Sequence, residues 1–328
     1  MLTPARTEEL LKRFGALNVL VAGDLMLDEF LWGNVSRISP EAPVPVVEVT
    51  GQSFYAGGAA NVARNLAEFT QGVRVMGLCG ADEQGAMLQR LLREAGMDVS
   101  AIVADGDRRT ILKTRVVARH QQVVRIDRET RMTPTGEQRA ALLALLDEML
   151  PSLDAVILSD YAKGFLTQPF VSALCAGAAR LGSIVTVDPS PRNPLQWEGV
   201  TAVKPNLKEA RAAAALGDDA DSRDAGSALL QRWGAGMVLI TMGEHGMELF
   251  RPGHEPYHTP TRAREVFDVS GAGDTAIALF TLGLAAGATP EEAAELANHA
   301  SGVAVGKLGT ATVTPQELLE SASRMANT

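Results

Sequence analysis

Asn18-Val19-Leu20-Val21-Ala22-Gly23 (NVLVAG) is a short apolar run closed by glycine. That is the pattern of a strand buried on both faces of a parallel sheet. Outward from it, apolar runs alternate with amphipathic stretches. Asn61–Phe69 reads as a helix, Val73–Cys79 as a strand, and Gly85–Ala95 as a helix with Met87, Leu88, Leu91 and Leu92 on its apolar side. The beat continues through helix Ala140–Met149, strand Ala155–Ser159, helix Pro169–Leu181 and strand Ile184–Asp188. Val200–Lys204, Asn206–Leu216, Gly226–Trp233 and Val238–Thr241 carry it on. A βαβα order of this kind predicts an α/β fold, a mainly parallel sheet with helices on both faces.

Two regions break the beat. Phe30–Val49 holds β-leaning pieces around a proline-rich turn (SPEAPVPVVEV). Thr110–Asp127 holds two alternating runs, ILKTRVVAR and QQVVRID, split by a His120-Gln121-Gln122 turn. Both read as β-hairpins. They are either edge strands of the main sheet or a small second sheet, inserted at about 30–50 and 110–127, placed to act as a lid.

Composition narrows the function classes. Of 328 residues 46% are apolar and 21% charged, which excludes disorder as the main state and allows one large domain or two ordinary ones. Lys plus Arg number 30 against 39 Asp plus Glu, a net charge of −9, which argues against nucleic acid as a partner. The apolar run Ala276–Ala288 falls short of the ~20 residues of a membrane span, and the N-terminus lacks the apolar core of a signal peptide. A cytoplasmic protein with no membrane partner is expected. Cys79 and Cys175 read as reduced core thiols, and the five histidines show no metal-ligand spacing.

The sharpest chemical motif is Asp268-Val269-Ser270-Gly271-Ala272-Gly273-Asp274-Thr275, followed by a long apolar helix. Gly271, Ala272 and Gly273 leave backbone N–H groups clear to converge at a helix N-terminus, an anion hole for a phosphoryl group in transfer. Asp274, in the first turn, stands where a base would take a proton from an attacking hydroxyl. Helix capping is the other use of an aspartate there. Gly57-Gly58-Ala59-Ala60-Asn61 enters a helix, with the Asn61 amide available to a hydroxylated ligand. Asp24 follows the first strand, at the edge where open α/β sheets bind ligands, and can accept two hydroxyls or simply close a turn. Lys204-Pro205-Asn206-Leu207-Lys208-Glu209 places an amide and a carboxylate three apart, as in a water-mediated magnesium site or a capping box. Thr241, Gly243 and Gly246 follow a strand, where glycines either admit a nucleotide or make a hairpin turn.

In this order the segments resemble the ribokinase (PfkB-type) carbohydrate kinase family, over about Asn18 to Pro315. GGAANVARNL, Gly80-Ala81-Asp82-Glu83-Gln84-Gly85 and DVSGAGDTAIA look like its motifs. Leu279 departs from the small residue usual at its place. The stretches Gly23–Asp28, Ser36–Pro45, Leu158–Gly164 and Val305–Thr310 look like the heptose 7-phosphate kinases of lipopolysaccharide precursor synthesis.

The resemblance implies one ribokinase-like kinase domain over residues 1–328. It would use ATP and Mg²⁺ to phosphorylate the anomeric hydroxyl of D-glycero-β-D-manno-heptose 7-phosphate. A kinase of the same fold for another sugar, sugar phosphate or nucleoside is the alternative. By resemblance Asp274 is the base, and Gly271, Ala272 and Gly273 are the anion hole. Asp24, Gly57, Gly58 and Asn61 hold the sugar. Asn206, Leu207, Lys208 and Glu209 lie on the ATP side with Thr241, Gly243 and Gly246, and Asn206 and Glu209 stand near the metal. Arg37, Lys113, Arg115 and Arg119 are candidate cations for the substrate's own phosphate, with Arg37 and Lys113 preferred. Val46, Val47, Val116 and Val117 would leave apolar lid surface, which predicts a homodimer through the lids. Some heptose kinases carry a further nucleotidylyltransferase domain; the length here leads us to expect the kinase alone.

Overall fold

A computed structural model describes residues 2–119, 121–263, 265–307 and 309–325. His120 of the hairpin turn and Leu308 of the Val305–Thr310 segment lie outside the described residues. The first elements are α1 (Pro4–Phe14), β1 (Asn18–Gly23), β2 (Leu25–Ile38), β3 (Pro45–Gly58), α2 (Ala59–Ala67), β4 (Gly72–Gly80) and α3 (Glu83–Glu94). There follow β5 (Asp98–Asp105), β6 (Ile111–Ala118), β7 (Gln121–Arg128), α4 (Gly136–Met149), β8 (Ala155–Ser159), α5 (Gln168–Leu181), β9 (Ile184–Asp188) and β10 (Ala202–Val203). Next come α6 (Leu207–Ala214), α7 (Ser222–Trp233), β11 (Val238–Thr241), β12 (Met247–Phe250) and β13 (Tyr257–Thr259). Helices α8 (Ala272–Ala285), α9 (Pro290–Ala304) and α10 (Pro315–Met325) complete the described chain.

The main sheet has nine strands in the order β13-β12-β11-β10-β9-β8-β1-β4-β5, parallel except for β12 and β13. Strand β1 is its pivot, pairing Val21 with Val75 on one side and with Ile157 on the other. Strands β1 and β8 are almost wholly buried because helices cover both faces. One face packs under α1, α2 and α8, through Leu10, Phe14, Leu66, Leu279 and Leu282. The other packs under α4, α5 and α7, through Leu142, Phe170, Leu174 and Leu229. Leu279, the residue that departs from the family's small one, is fully buried in that core. The chain order reverses at β1, so a crevice opens beyond the C-terminal ends of β1 and β8.

The two hairpins form a separate four-stranded sheet, β3-β2-β6-β7, rather than edge strands. Its first hairpin is longer than the sequence pattern suggested. Strand β2 starts at Leu25, and its first five residues are buried, so the polar alternation that marks a half-exposed strand begins only at Phe30. The expected apolar surface is also relocated. Val116 is buried and Val46, Val47 and Val117 are half-buried. The large apolar side chains exposed on this sheet's strands are Trp32, Ile38, Val49, Tyr55, Val123, Val124 and Ile126 instead.

Candidate active site

Helix α8 starts in the crevice. Gly271 has φ +80°, a conformation that L side chains resist, and a Cβ there would lie 3.0 Å from the Asn61 amide nitrogen. The Thr275 N–H bonds to the Gly271 carbonyl at 2.9 Å and the Ala272 N–H turns back to Val269. The N–H groups of Gly273 and Asp274 therefore have no helical acceptor and face the crevice at the positive end of the helix.

Asp274 is buried, 9% exposed. Its Oδ2 accepts from Asn61 Nδ2 at 2.7 Å and its Oδ1 from the Tyr161 hydroxyl at 2.5 Å. Burial pushes its carboxyl pKa up, opposed by those two donors and by the Lys204 charge. Asn61 is oriented by Arg64, whose guanidinium donates to its side-chain oxygen at 3.3 Å. Asn65 accepts from the Thr275 hydroxyl at 2.8 Å, so α2 and α8 are joined by a buried polar network. Beside the helix start, Lys204 Nζ pairs with Asp188 at 3.0 Å and lies 3.4 Å from where a Gly273 Cβ would stand. Burial raises the Asp188 pKa to about 7, with Lys204 opposing.

Two cavities meet over this point. A polar one of about 590 Å³ is lined by the carboxylates of Asp28, Asp160, Asp188, Glu209 and Asp274 and by Lys113, Arg115, Arg125, Arg192 and Lys204. An apolar one of about 460 Å³ is lined by Met247, Ala263, Val266, Ala276 and Val305 among others. Thr241, Gly243, Val269 and Gly273 belong to both. Cations and carboxylates nearly balance in the polar cavity, so local geometry rather than a basic field must select an anion there.

Most of the sequence candidates converge here. Gly57, Gly58, Asn61, Lys113, Asn206, Glu209, Thr241, Gly243, Gly271, Gly273 and Asp274 line the polar cavity, and Ala272 and Gly246 the apolar one. Gly57 is needed because a Cβ would stand 2.3 Å from the Asp28 carboxylate. Asn206 and Glu209 form a capping box on α6, each accepting the other's backbone N–H at 2.9 Å, and still face the cavity. Thr241 and Gly246 flank a true hairpin turn between β11 and β12, and the turn also walls the apolar cavity.

Five candidates do not reach the site. Asp24 is 2% exposed, and its carboxylate is filled by the N–H groups of Tyr161, Lys163 and Phe165, at 3.0, 2.9 and 3.0 Å. The carboxylate that faces the cavity in its place is Asp28, bound by Arg115. Arg37 is exposed near the far end of β2 and lines neither cavity. Leu207 packs into the core beneath α6, and Lys208 points to solvent. Arg119, at the β6–β7 turn, is also outside the cavities.

Sequence reasoning missed Asp28, Tyr161, Asp188 and Lys204. Three of these stand at the C-terminal ends of β8, β9 and β10, the edge already known to matter. Period-two reading of Asp24-Leu25-Met26-Leu27-Asp28 also puts Met26 and Asp28 on one face of β2. Among the described residues no three His, Cys, Asp or Glu side chains cluster as a metal site, and no helix is long and apolar enough to cross a membrane.

Residues 16–317 match the family model described as pfkB family carbohydrate kinase. The "Bifunctional protein HldE" of Citrifermentans bemidjiense is 46% identical over 314 residues, 95% of this chain and 64% of that protein. The protein of the same name in Caulobacter vibrioides is 46% identical over 316 residues, 95% of this chain and 65% of that one. This chain thus spans just under two thirds of the length of these relatives. Among solved structures, Arabidopsis thaliana ribokinase complexed with ribose and ATP superposes with a TM-score of 0.73 at 18% identity, covering 94% of this chain and 99% of that one. Escherichia coli phosphofructokinase-2 in complex with potassium gives 0.76 at 20%, covering 95% and 99%. Identities this low speak to the fold, which is ribokinase-like.

Proposed function

Since the chain belongs to the pfkB family of carbohydrate kinases, we propose that it moves the terminal phosphoryl group of ATP to the anomeric hydroxyl of D-glycero-β-D-manno-heptose 7-phosphate, in lipopolysaccharide precursor synthesis. The observation that carries the reading is the meeting of an apolar and a polar cavity over Gly273, with Asp274 and two free N–H groups at the junction. The apolar cavity suits a nucleotide base. Its wall includes Val266 and Val269, 62% and 69% exposed, which a base would cover. The phosphates then cross the turn at Thr241 and Gly243 toward Gly273.

In this reading the sugar lies in the polar cavity against Asp28, Gly57 and Asn61. Asp274 takes the proton of the attacking hydroxyl. The N–H groups of Gly273 and Asp274, with Lys204 Nζ, receive the negative charge spread over the phosphoryl oxygens. Mg²⁺ prefers water and phosphate oxygens with one or two carboxylates, and Glu209 lines the polar cavity beside Asn206. Asn206 and Glu209 would hold it through water. Bound there, it would neutralise charge on the nucleotide's phosphates. The acceptor's own phosphate falls to Lys113, with Arg115 and Arg125 beside it.

The choice of heptose rests on the Ser36–Pro45 and Ser159–Gly164 stretches. Residues 1–328 are read as one kinase unit. All eight residues of edge strand β7 are exposed, Val124 and Ile126 at 47% and 46%, so a second copy is proposed to cover the small sheet. The deciding experiment is ATP consumption with heptose 7-phosphate, ribose, fructose 6-phosphate and adenosine offered separately. Turnover is expected with the heptose phosphate. Turnover with another acceptor and none with the heptose phosphate overturns the choice of substrate.

A further inference from the structure

Tyr161 belongs to a bend with no regular secondary structure, yet it is among the best-anchored residues of the site. Its N–H and those of Lys163 and Phe165 all end on the Asp24 carboxylate, 2.9–3.0 Å away. Asp24 is itself 2% exposed, and Phe165, 1% exposed, is locked into the core. Ala162 takes φ +58°, a left-handed residue that lets three alternate N–H groups converge. The product of this staple is one contact: the Tyr161 hydroxyl donates to Asp274 Oδ1 at 2.5 Å.

We propose that Tyr161, held by Asp24, is a positioning residue that aims Asp274 at the acceptor and keeps its carboxylate ionised. The inference rests on the reading of Asp274 as the base. Asn61 fixes Oδ2, leaving rotation about the carboxyl axis as the remaining freedom, and Tyr161 removes it. Each carboxylate oxygen can accept more than one hydrogen bond, so Oδ1 retains a lone pair for the acceptor's proton. A donor to the charged form favours that form. The other charged groups facing Asp274 are Lys204 and Asp188 from the ends of β10 and β9, and Asp28 from β2. None of these changes when the tyrosine hydroxyl alone is altered.

A buried tyrosine hydroxyl needs a partner in any fold, so loss of activity alone would not separate positioning from structure. The test therefore reads the Asp274 carboxyl directly, by carbon-13 NMR of labelled aspartate, its resonance identified by loss in Asp274→Asn. Tyr161→Phe should move the Asp274 titration upward by about one pH unit. It should move the acid limb of the turnover profile the same way and lower kcat about tenfold, with KM for ATP unchanged. Replacing Tyr161 by 3-fluorotyrosine, a stronger donor of nearly the same shape, should move both downward. That second variant serves if the first does not fold. Unchanged titration in the variant that folds, or a change in KM alone, overturns the proposal. The acid limb is measured with whichever acceptor the unaltered enzyme turns over, so a wrong substrate assignment shows itself separately. Full turnover by Asp274→Asn would overturn the base assignment.

Discussion

The two sheets of this protein solve opposite problems. The central strands β1 and β8 are short, apolar and almost wholly buried, and the C-terminal edge of their sheet presents Tyr161, Asp188 and Lys204 to the crevice from a closely packed core. The small sheet is covered on one side only, and its outer strand β7 is exposed along its whole length. It contributes Asp28, Lys113, Arg115 and Arg125 to the cavity, with Lys113, Arg115 and Arg125 held in ion pairs and Arg115 also lying over the Phe30 ring. The Arg125–Asp127 pair is open to water and contributes little to stability. A rigid edge thus carries what the chemistry needs, and an adaptable sheet carries what the acceptor needs.

The largest expected effect lies beside that rigid edge, at the first turn of α8. Asp274→Asn should lower kcat by about 1000-fold, within the range for loss of a general base, while ATP affinity by calorimetry changes less than about threefold. Near-normal turnover would mean that Asp274 is not the base.

The second contrast is in stability. Ile157 is fully buried in β8, and Ile126 on β7 is 46% exposed. Ile157→Ala should cost about 3 kcal/mol in denaturant unfolding, and Ile126→Ala less than about 0.5 kcal/mol at low protein concentration. Equal costs would show that the small sheet is as tightly packed as the large one.

These differences also decide what could be read from sequence. Buried parallel strands declare themselves as unbroken apolar runs, so β1, β4, β8, β9 and β11 were legible, as was the α8 turn with its two glycines and Asp274. Asp24 and Asp28 are the instructive pair. Both are carboxylates four residues apart, and only the start of β2 at Leu25 turns one into the core and the other into the cavity. Arg37 lies away from the crevice because β2 is 14 residues long and carries it past the cavity lining. Tyr161 and Lys204 depend on which strand ends become neighbours, which no local pattern encodes.

The third contrast concerns association. If a second copy covers the small sheet, Ile126→Lys should weaken dimerisation at least tenfold in analytical ultracentrifugation, since burying a charge against an apolar face is costly. The same substitution should leave monomer unfolding nearly unchanged. A protein that is monomeric at micromolar concentration before any substitution removes the second copy from the account.

The smallest effect tests the division of labour itself. Lys113 Nζ lies 3.2 Å from both Asp127 and Glu129. Each carboxylate has another cation, Arg125 at 2.9 Å for Asp127 and Lys163 at 2.6 Å for Glu129. Lys113→Ala therefore leaves no buried charge alone, and its cost in folding should stay below about 1 kcal/mol. Its ammonium lines the polar cavity on the sheet assigned to the acceptor. With a phosphorylated acceptor, KM should rise about tenfold while kcat holds within about twofold, the signature of binding lost equally from ground and transition states. With a neutral sugar the same variant should change nothing. A fall in kcat in place of a rise in KM would place Lys113 with the transferring phosphoryl group, and the small sheet would then share in the chemistry that the comparison reserves for the rigid edge.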